Sequence, residues 1–149
     1  MNIAFSEAEK AYHSDEVPVG AIVVNENRII GKGFNQCEKL KDPTAHAEMI
    51  AITSAANTIG NWRLNNSLLL VTKEPCAMCS GAIMNSRIAM VVFGCYDLDF
   101  GCCGSVYNIC GDSALNSNVT VKGGVLGDKC KGILSEYFIE KRKLNKVDI

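Results

Sequence analysis

The sequence predicts an α/β fold, a three-layer α/β/α sandwich on a mixed five-stranded sheet, and three observations point to it. Short β-type apolar runs alternate with helical periods along the chain. One strand is followed by a helix and then a further strand, a crossover that implies parallel, right-handed pairing because antiparallel neighbours need only a tight turn. The 149 residues carry 48% hydrophobic side chains, enough to bury one core in a single domain over residues 1–149 without cross-links.

Residues Asn2 to Ser14 set Ala4, Ala8 and Ala11 with Phe5 and Tyr12 at helical spacing ahead of the acidic pair Asp15-Glu16, a first helix. Val19 to Val24 and Arg28 to Gly33 flank Asn25-Glu26-Asn27, a turn-rich break that reads as a hairpin of paired strands. Asp42-Pro43-Thr44 supplies a helix start, since Asp or Thr can cap and Pro is tolerated in a first turn; this helix is expected from Thr44 to Ala56. Leu68 to Thr72 is a β-type run that Pro75 stops, Cys76 to Ser86 resumes helical spacing, and Ala89 to Gly94 is the next strand. Val119 to Val121 adds an edge strand. Leu126, Cys130, Ile133, Leu134, Tyr137 and Phe138 mark the buried stripe of a last helix. The Gly- and Asn-rich stretch from Gly101 to Asn118 reads as a mobile surface region.

Composition removes several functional classes. The longest apolar stretches, such as Gly20–Val24 and Ala89–Gly94, are far too short to cross a bilayer, and no charged segment precedes an apolar one at Met1, so a soluble cytoplasmic protein is expected. A net charge of −1 offers no overall basic field, so any nucleic-acid contact rests on a local patch. The last helix offers one: Lys129, Lys131, Lys141, Arg142, Lys143 and Lys146 stand against Asp128, Glu136 and Glu140. Its plainer reading is a solvated helix face. Eight cysteines are read as thiols of a reducing compartment, because the core needs no staples and two of them sit in a metal motif. Cys37, Cys95, Cys102, Cys103, Cys110 and Cys130 lie in apolar or Gly-rich surroundings, where a free Cys behaves as a small hydrophobe.

The chemistry is concentrated in His46-Ala47-Glu48 and Pro75-Cys76-Ala77-Met78-Cys79. One imidazole and two thiolates suit Zn²⁺, and three protein ligands leave a fourth tetrahedral position open to water, as catalytic zinc sites do. A carboxylate two positions after the ligand His can reach that water without binding the metal, so Glu48 can take its proton and return it elsewhere. His46 and Cys76 fall at the starts of two predicted helices, whose positive ends favour thiolate over thiol. Pro75 is read as a strand terminator. Two other readings stay open on these residues: a thioredoxin-like redox pair at Cys76 and Cys79, and a closed structural zinc site with Cys102 or Cys103 as a fourth ligand.

Longer blocks carry a resemblance. They are Glu16-Val17-Pro18-Val19-Gly20-Ala21, Asp42-Pro43-Thr44-Ala45-His46-Ala47-Glu48, Trp62-Arg63-Leu64, Glu74-Pro75-Cys76-Ala77-Met78-Cys79, Ser86-Arg87-Ile88 and Val91-Val92-Phe93-Gly94. Over nearly its whole length the chain resembles the bacterial tRNA adenosine deaminases of the cytidine and deoxycytidylate deaminase superfamily. The resemblance implies a cytidine-deaminase-like fold, one Zn²⁺ per subunit and a homodimer. It implies conversion of the wobble adenosine to inosine in the anticodon loop of an arginine tRNA, a loop that offers an unstacked base without a duplex to open. By the same carry-over, water would attack C6 of adenine, with Glu48 passing protons to N1 and then to the leaving ammonia. Asn35 would contact the flipped nucleotide, Ala47 stands with it as a substrate-binding residue, and Asp97 would meet a neighbouring ribose.

Besides lacking the extra N-terminal residues of that pattern, the chain departs from it in two places. Leu98-Asp99-Phe100 follow Asp97 where a Lys or small polar or glycine residues are usual, and Asp99 is expected to repel phosphate. Lys73 stands where an apolar residue is usual. Lys141, Arg142 and Lys143 are the candidates for contact with the RNA backbone, which would position the loop without reading its sequence. Two alternatives to wobble deamination remain at this stage. One is a deaminase of free guanine, cytosine or a nucleoside with the same zinc machinery. The other is a non-catalytic, zinc-stabilised RNA-binding module, which needs a fourth protein ligand.

Overall fold

The computed structural model describes residues 1–144, and Lys146 of the basic stretch lies outside the described residues. Helix α1 (Asn2–His13) precedes strands β1 (Gly20–Asn25) and β2 (Arg28–Phe34), a short helix α2 (Cys37–Leu40) and helix α3 (Ala47–Ile59). Strand β3 (Leu68–Lys73), helix α4 (Ala77–Asn85) and strand β4 (Met90–Cys95) form the crossover, and strand β5 (Thr120–Lys122) and helix α5 (Gly127–Leu144) follow. The strand order is β2-β1-β3-β4-β5. β1 pairs antiparallel with β2 and β3, whereas β3 with β4 and β4 with β5 are parallel, so the sheet is mixed and five-stranded as predicted. Glu26 and Asn27, at φ 47° and 60°, make the two-residue turn of the hairpin, closed by Asn25 opposite Arg28.

Small residues decide how closely the helices approach the sheet. Gly20 lies opposite Phe34 and shares its face, while Gly31 and Gly33 alternate onto the other. A methyl group at Gly20 would strike the α1 backbone at Ala4 and Ala8, and one at Gly31 or Gly33 would strike α3 at Ala47, Ala51 and Ala55. Helices α1 and α3 therefore cover opposite faces, and only glycine lets α3 come that near. α5 lies beside α1: Tyr12 Oη donates to Glu140 at 2.7 Å, and the Tyr12 and Tyr137 rings meet edge to face. α4 lies beside α3. Phe93, Leu64, Leu69, Ile83 and Val71 are fully buried between the layers, each worth about 1.5–3 kcal/mol by removal from water.

Several expectations are corrected. α3 begins at Ala47 with His46 as its N-cap, not at Thr44, because Asp42 Oδ1 accepts both the N–H of Thr44 at 2.8 Å and its hydroxyl at 2.7 Å. That Asp-centred turn holds residues 42–45 out of helical register. Edge strand β5 is shifted by one residue to Thr120–Lys122. On α5 the buried stripe is Cys130, Leu134 and Tyr137, spaced i, i+4, i+7, while Leu126 precedes the helix at positive φ and Phe138 turns off the stripe, both exposed. The Gly101–Asn118 stretch is not all surface: Gly101, Cys102, Cys103 and Cys110 are buried, with the Cys102 N–H donating to the Pro75 carbonyl at 2.8 Å.

Candidate active site

The crossover and its neighbouring helix bring His46, Cys76 and Cys79 together across thirty residues of chain. Extended backbone at His46 (φ −73°, ψ 154°) and Cys76 (φ −74°, ψ 178°) makes each the N-cap of its helix, and Cys79 follows in the first turn of α4. The Nδ1 of His46 lies 3.7 Å from Cys76 Sγ and 3.6 Å from Cys79 Sγ. Tetrahedral zinc with ordinary Zn–N and Zn–S bonds separates a nitrogen from a sulfur by about 3.6 Å, so the three donors already stand at coordination spacing. His46 and Cys76 are half-buried and Cys79 is buried, which leaves one side of the cluster open.

Charge at the cluster follows from its geometry. The Cys76 thiol is lowered to about 3, first by the hydrogen bond with Cys79, against burial and with help from His46. That same bond and burial push Cys79 up. His46 is raised, chiefly by its hydrogen bond with Cys76. Glu48 is buried in the first turn of α3, and burial pushes its carboxyl above the usual range, opposed by its own backbone N–H and by His46. Two residues after one ligand, this carboxyl feels the charge of Cys76 and a hydrogen bond with Cys79.

No fourth protein ligand joins the three among the described residues. Cys102 Sγ donates to the Phe100 carbonyl at 3.4 Å, and Cys103 Sγ sits 3.5 Å from both Ser80 Oγ and Cys110 Sγ. The closed structural site is thereby corrected: neither sulfur joins the three donors, and each is engaged with other partners. The five cysteines 95, 102, 103, 110 and 130 are buried and free, as small core residues, and Cys37 is half-buried.

The remaining site residues are placed as follows. Asn35 is buried, and its Oδ1 accepts the Ala47 N–H at 2.8 Å, capping α3 from another segment and leaving the amide nitrogen as its donor end. Ala47 is fully buried and gives its N–H to that cap, so what it presents is the seat for Asn35. Asp97 is buried two residues beyond β4, with Oδ1 accepting the N–H groups of Asp99 and Phe100 at 3.1 Å each and Oδ2 paired with Lys73. Lys141 is not free: its ammonium pairs with Asp15 and lies 5.6 Å from the Tyr137 ring centroid, tying α5 to the end of α1. Arg142 and Lys143 are exposed.

Sequence reasoning gave no role to Glu74, which organises the segment after β4. Its buried carboxylate accepts the N–H of Asp97 at 3.0 Å, of Cys103 at 3.1 Å and of Ser105 at 2.9 Å, together with the Ser105 hydroxyl. A side chain at Gly101 would collide with that carboxylate. The only local signal was an acidic residue at the end of an apolar strand, directly before Pro75-Cys76.

Known proteins share this arrangement. The family model described as the cytidine and deoxycytidylate deaminase zinc-binding region matches residues 1–95. The chain is 44% identical to the tRNA-specific adenosine deaminase of Haemophilus influenzae, over 99% of this chain and 86% of that one. It is 42% identical to the tRNA-specific adenosine deaminase of Bacillus subtilis, over 98% of this chain and 91% of that one. A structure solved in studies of A-to-I editing by tRNA:A34 deaminases at the wobble position of transfer RNA superposes with a TM-score of 0.86 at 34% identity, over 89% of this chain and 96% of that one. The guanine deaminase from Nitrosomonas europaea superposes with a TM-score of 0.79 at 23% identity, over 91% and 81%, a likeness of fold alone. Since the matched region takes in His46, Cys76 and Cys79 and the likeness runs through nearly the whole chain, the chain belongs to the zinc-binding cytidine and deoxycytidylate deaminase family.

Proposed function

We infer that the chain hydrolyses the wobble adenosine of a tRNA anticodon loop to inosine, with an arginine tRNA as substrate. The observation that carries this reading is the 42–44% identity to tRNA-specific adenosine deaminases over 98–99% of the chain. His46 Nδ1, Cys76 Sγ and Cys79 Sγ would hold one Zn²⁺ per subunit, which would supply a water acidified toward a pKa of about 7. Glu48 is the proton carrier. Its carboxylate would take a proton from the attacking water as oxygen adds to C6 of the adenine and give it to N1; it would then take the remaining hydroxyl proton from C6 and pass it to the amine, so that ammonia departs and a C6 carbonyl is left. Burial supports that role, because a carboxyl raised above its usual range holds a proton more readily once it has taken it up.

Asn35, fixed in sense by its bond to Ala47, would offer its amide N–H to the flipped nucleotide, and Asp97 would meet a neighbouring ribose. Arg142 and Lys143 meet the RNA backbone, with Lys141 held back on Asp15. The functional unit is a homodimer in the cytoplasm; no helix among the described residues is long and apolar enough to cross a membrane. The test is incubation of zinc-loaded protein with an arginine anticodon stem-loop bearing wobble adenosine, alongside free guanine and cytosine, reading inosine and ammonia. Inosine in the stem-loop is expected. Ammonia from the free bases alone would overturn the reading.

A further inference from the structure

Lys73 ends β3, one residue before Glu74 and three before the ligand Cys76. In register it lies opposite Cys95, so Asp97 follows just past the end of the neighbouring parallel strand. Ligands of α/β sheets gather at these carboxyl ends, and here the metal cluster does too.

The pair it forms with Asp97 is asymmetric. Asp97 is buried, with Oδ1 taken by two backbone N–H groups and Oδ2 by Lys73. Lys73 has 32% of its side chain exposed, and among the described residues Asp97 is its one hydrogen-bond partner. An ammonium carries three N–H donors, so two are left free at the carboxyl end of β3, three residues before Cys76. Asp97 thus holds the lysine head at a fixed place there, which reduces the rotamer freedom it would otherwise lose on meeting a ligand. Anything bound over the cluster through a polyanionic backbone brings oxygen acceptors to that strand end.

We propose that Lys73, steered by its buried pairing with Asp97, donates to a backbone phosphate of the RNA next to the target nucleotide. This inference rests on the tRNA reading above. It assigns Lys73 to substrate binding and Asp97 to positioning it, so that the site-proximal phosphate contact comes from the sheet, separate from the basic end of α5.

The test compares zinc-loaded wild type, Lys73→Met and Lys73→Arg on the arginine anticodon stem-loop across salt concentrations. Stem-loops carrying a neutral methylphosphonate on either side of the wobble adenosine are run in parallel. Lys73→Met should raise KM with little change in kcat and flatten the slope of log KM on log salt by about 0.7, the single-strand value for one phosphate. Between 50 and 200 mM salt, that slope change narrows the gap between variant and wild type by about 2.6-fold. One methylphosphonate should weaken wild type and leave Lys73→Met unaffected, and Lys73→Arg should restore both KM and slope, since it keeps charge and donors. A lowered melting temperature with unchanged KM and salt slope, or equal methylphosphonate effects in wild type and variant, would make Lys73 a partner of Asp97 only. Wild type inactive on every stem-loop but active on free bases would overturn the tRNA reading and this proposal with it.

Discussion

Replacing Glu74 should release the segment after β4 that its carboxylate anchors. Glu74→Ala removes the acceptor for the backbone N–H groups of Asp97, Cys103 and Ser105 and for the Ser105 hydroxyl. Asp97 and Cys103 are buried, so their N–H groups are left unsatisfied, whereas half-buried Ser105 can turn to water. At about 1–3 kcal/mol per unsatisfied buried donor, the loss is about 2–6 kcal/mol. A typical domain has only about 5–15 kcal/mol in total. Glu74→Gln is the graded control: it keeps one oxygen for Cys103 and Ser105 but places an amide N–H against that of Asp97, at a cost of about 1–3 kcal/mol. Urea unfolding of the zinc-loaded proteins, with amide exchange at Cys103, measures both. Glu74→Ala within about 1 kcal/mol of wild type, with Cys103 protection unchanged, would refute the assignment of Glu74 as the anchor of this segment.

Three further outcomes are expected. Glu48→Gln should cut kcat by about 10²–10⁴-fold while zinc content by elemental analysis stays the same; loss of zinc would make Glu48 part of the metal cage. Gly33→Ala puts a methyl group onto the α3 backbone at Ala47 and Ala51. It should cost about 1–3 kcal/mol by overpacking and weaken zinc binding as well, since His46 caps that helix; an unchanged melting temperature would contradict the close approach. Acid should expose the Lys73–Asp97 pair. Burial pushes the Asp97 carboxyl up, but Lys73 and the N–H groups of Asp99 and Phe100 outweigh it and hold the group below the usual range. A depressed carboxyl stabilises the fold fully above its unfolded value of about 3.9 and loses that stabilisation as pH falls through its lower folded value. Thermal melts below about pH 4 should therefore fall more steeply for wild type than for Asp97→Asn, and parallel curves would show that the pair adds nothing.

What was legible in the sequence is what local residue order encodes. His46, Cys76 and Cys79 could be read as one site because ligand type and spacing carry metal chemistry without reference to the fold, and the structure sets them at coordination distance. The hairpin around Asn25-Glu26-Asn27 and the crossover from Leu68 to Gly94 were legible because turn residues and alternating periods are local signals too. The start of α3 was misread since Asp42 serves a turn with Thr44, where its side chain could equally have capped a helix. Glu74 and Lys73 escaped assignment for a different reason. Their partners lie 23 to 31 residues further along the chain, and only the pairing of β3 with β4 brings them within reach. Asn35 came from the resemblance, not from its surroundings in sequence, because the Ala47 N–H it caps lies twelve residues away.

The most direct test of the account is zinc K-edge absorption spectroscopy on the zinc-loaded protein. Two sulfurs, one imidazole nitrogen and one light oxygen ligand from water are expected, the open site that His46, Cys76 and Cys79 build. Three or four sulfurs, with no exchangeable oxygen ligand, would mean a closed structural centre and would contradict deamination at this metal.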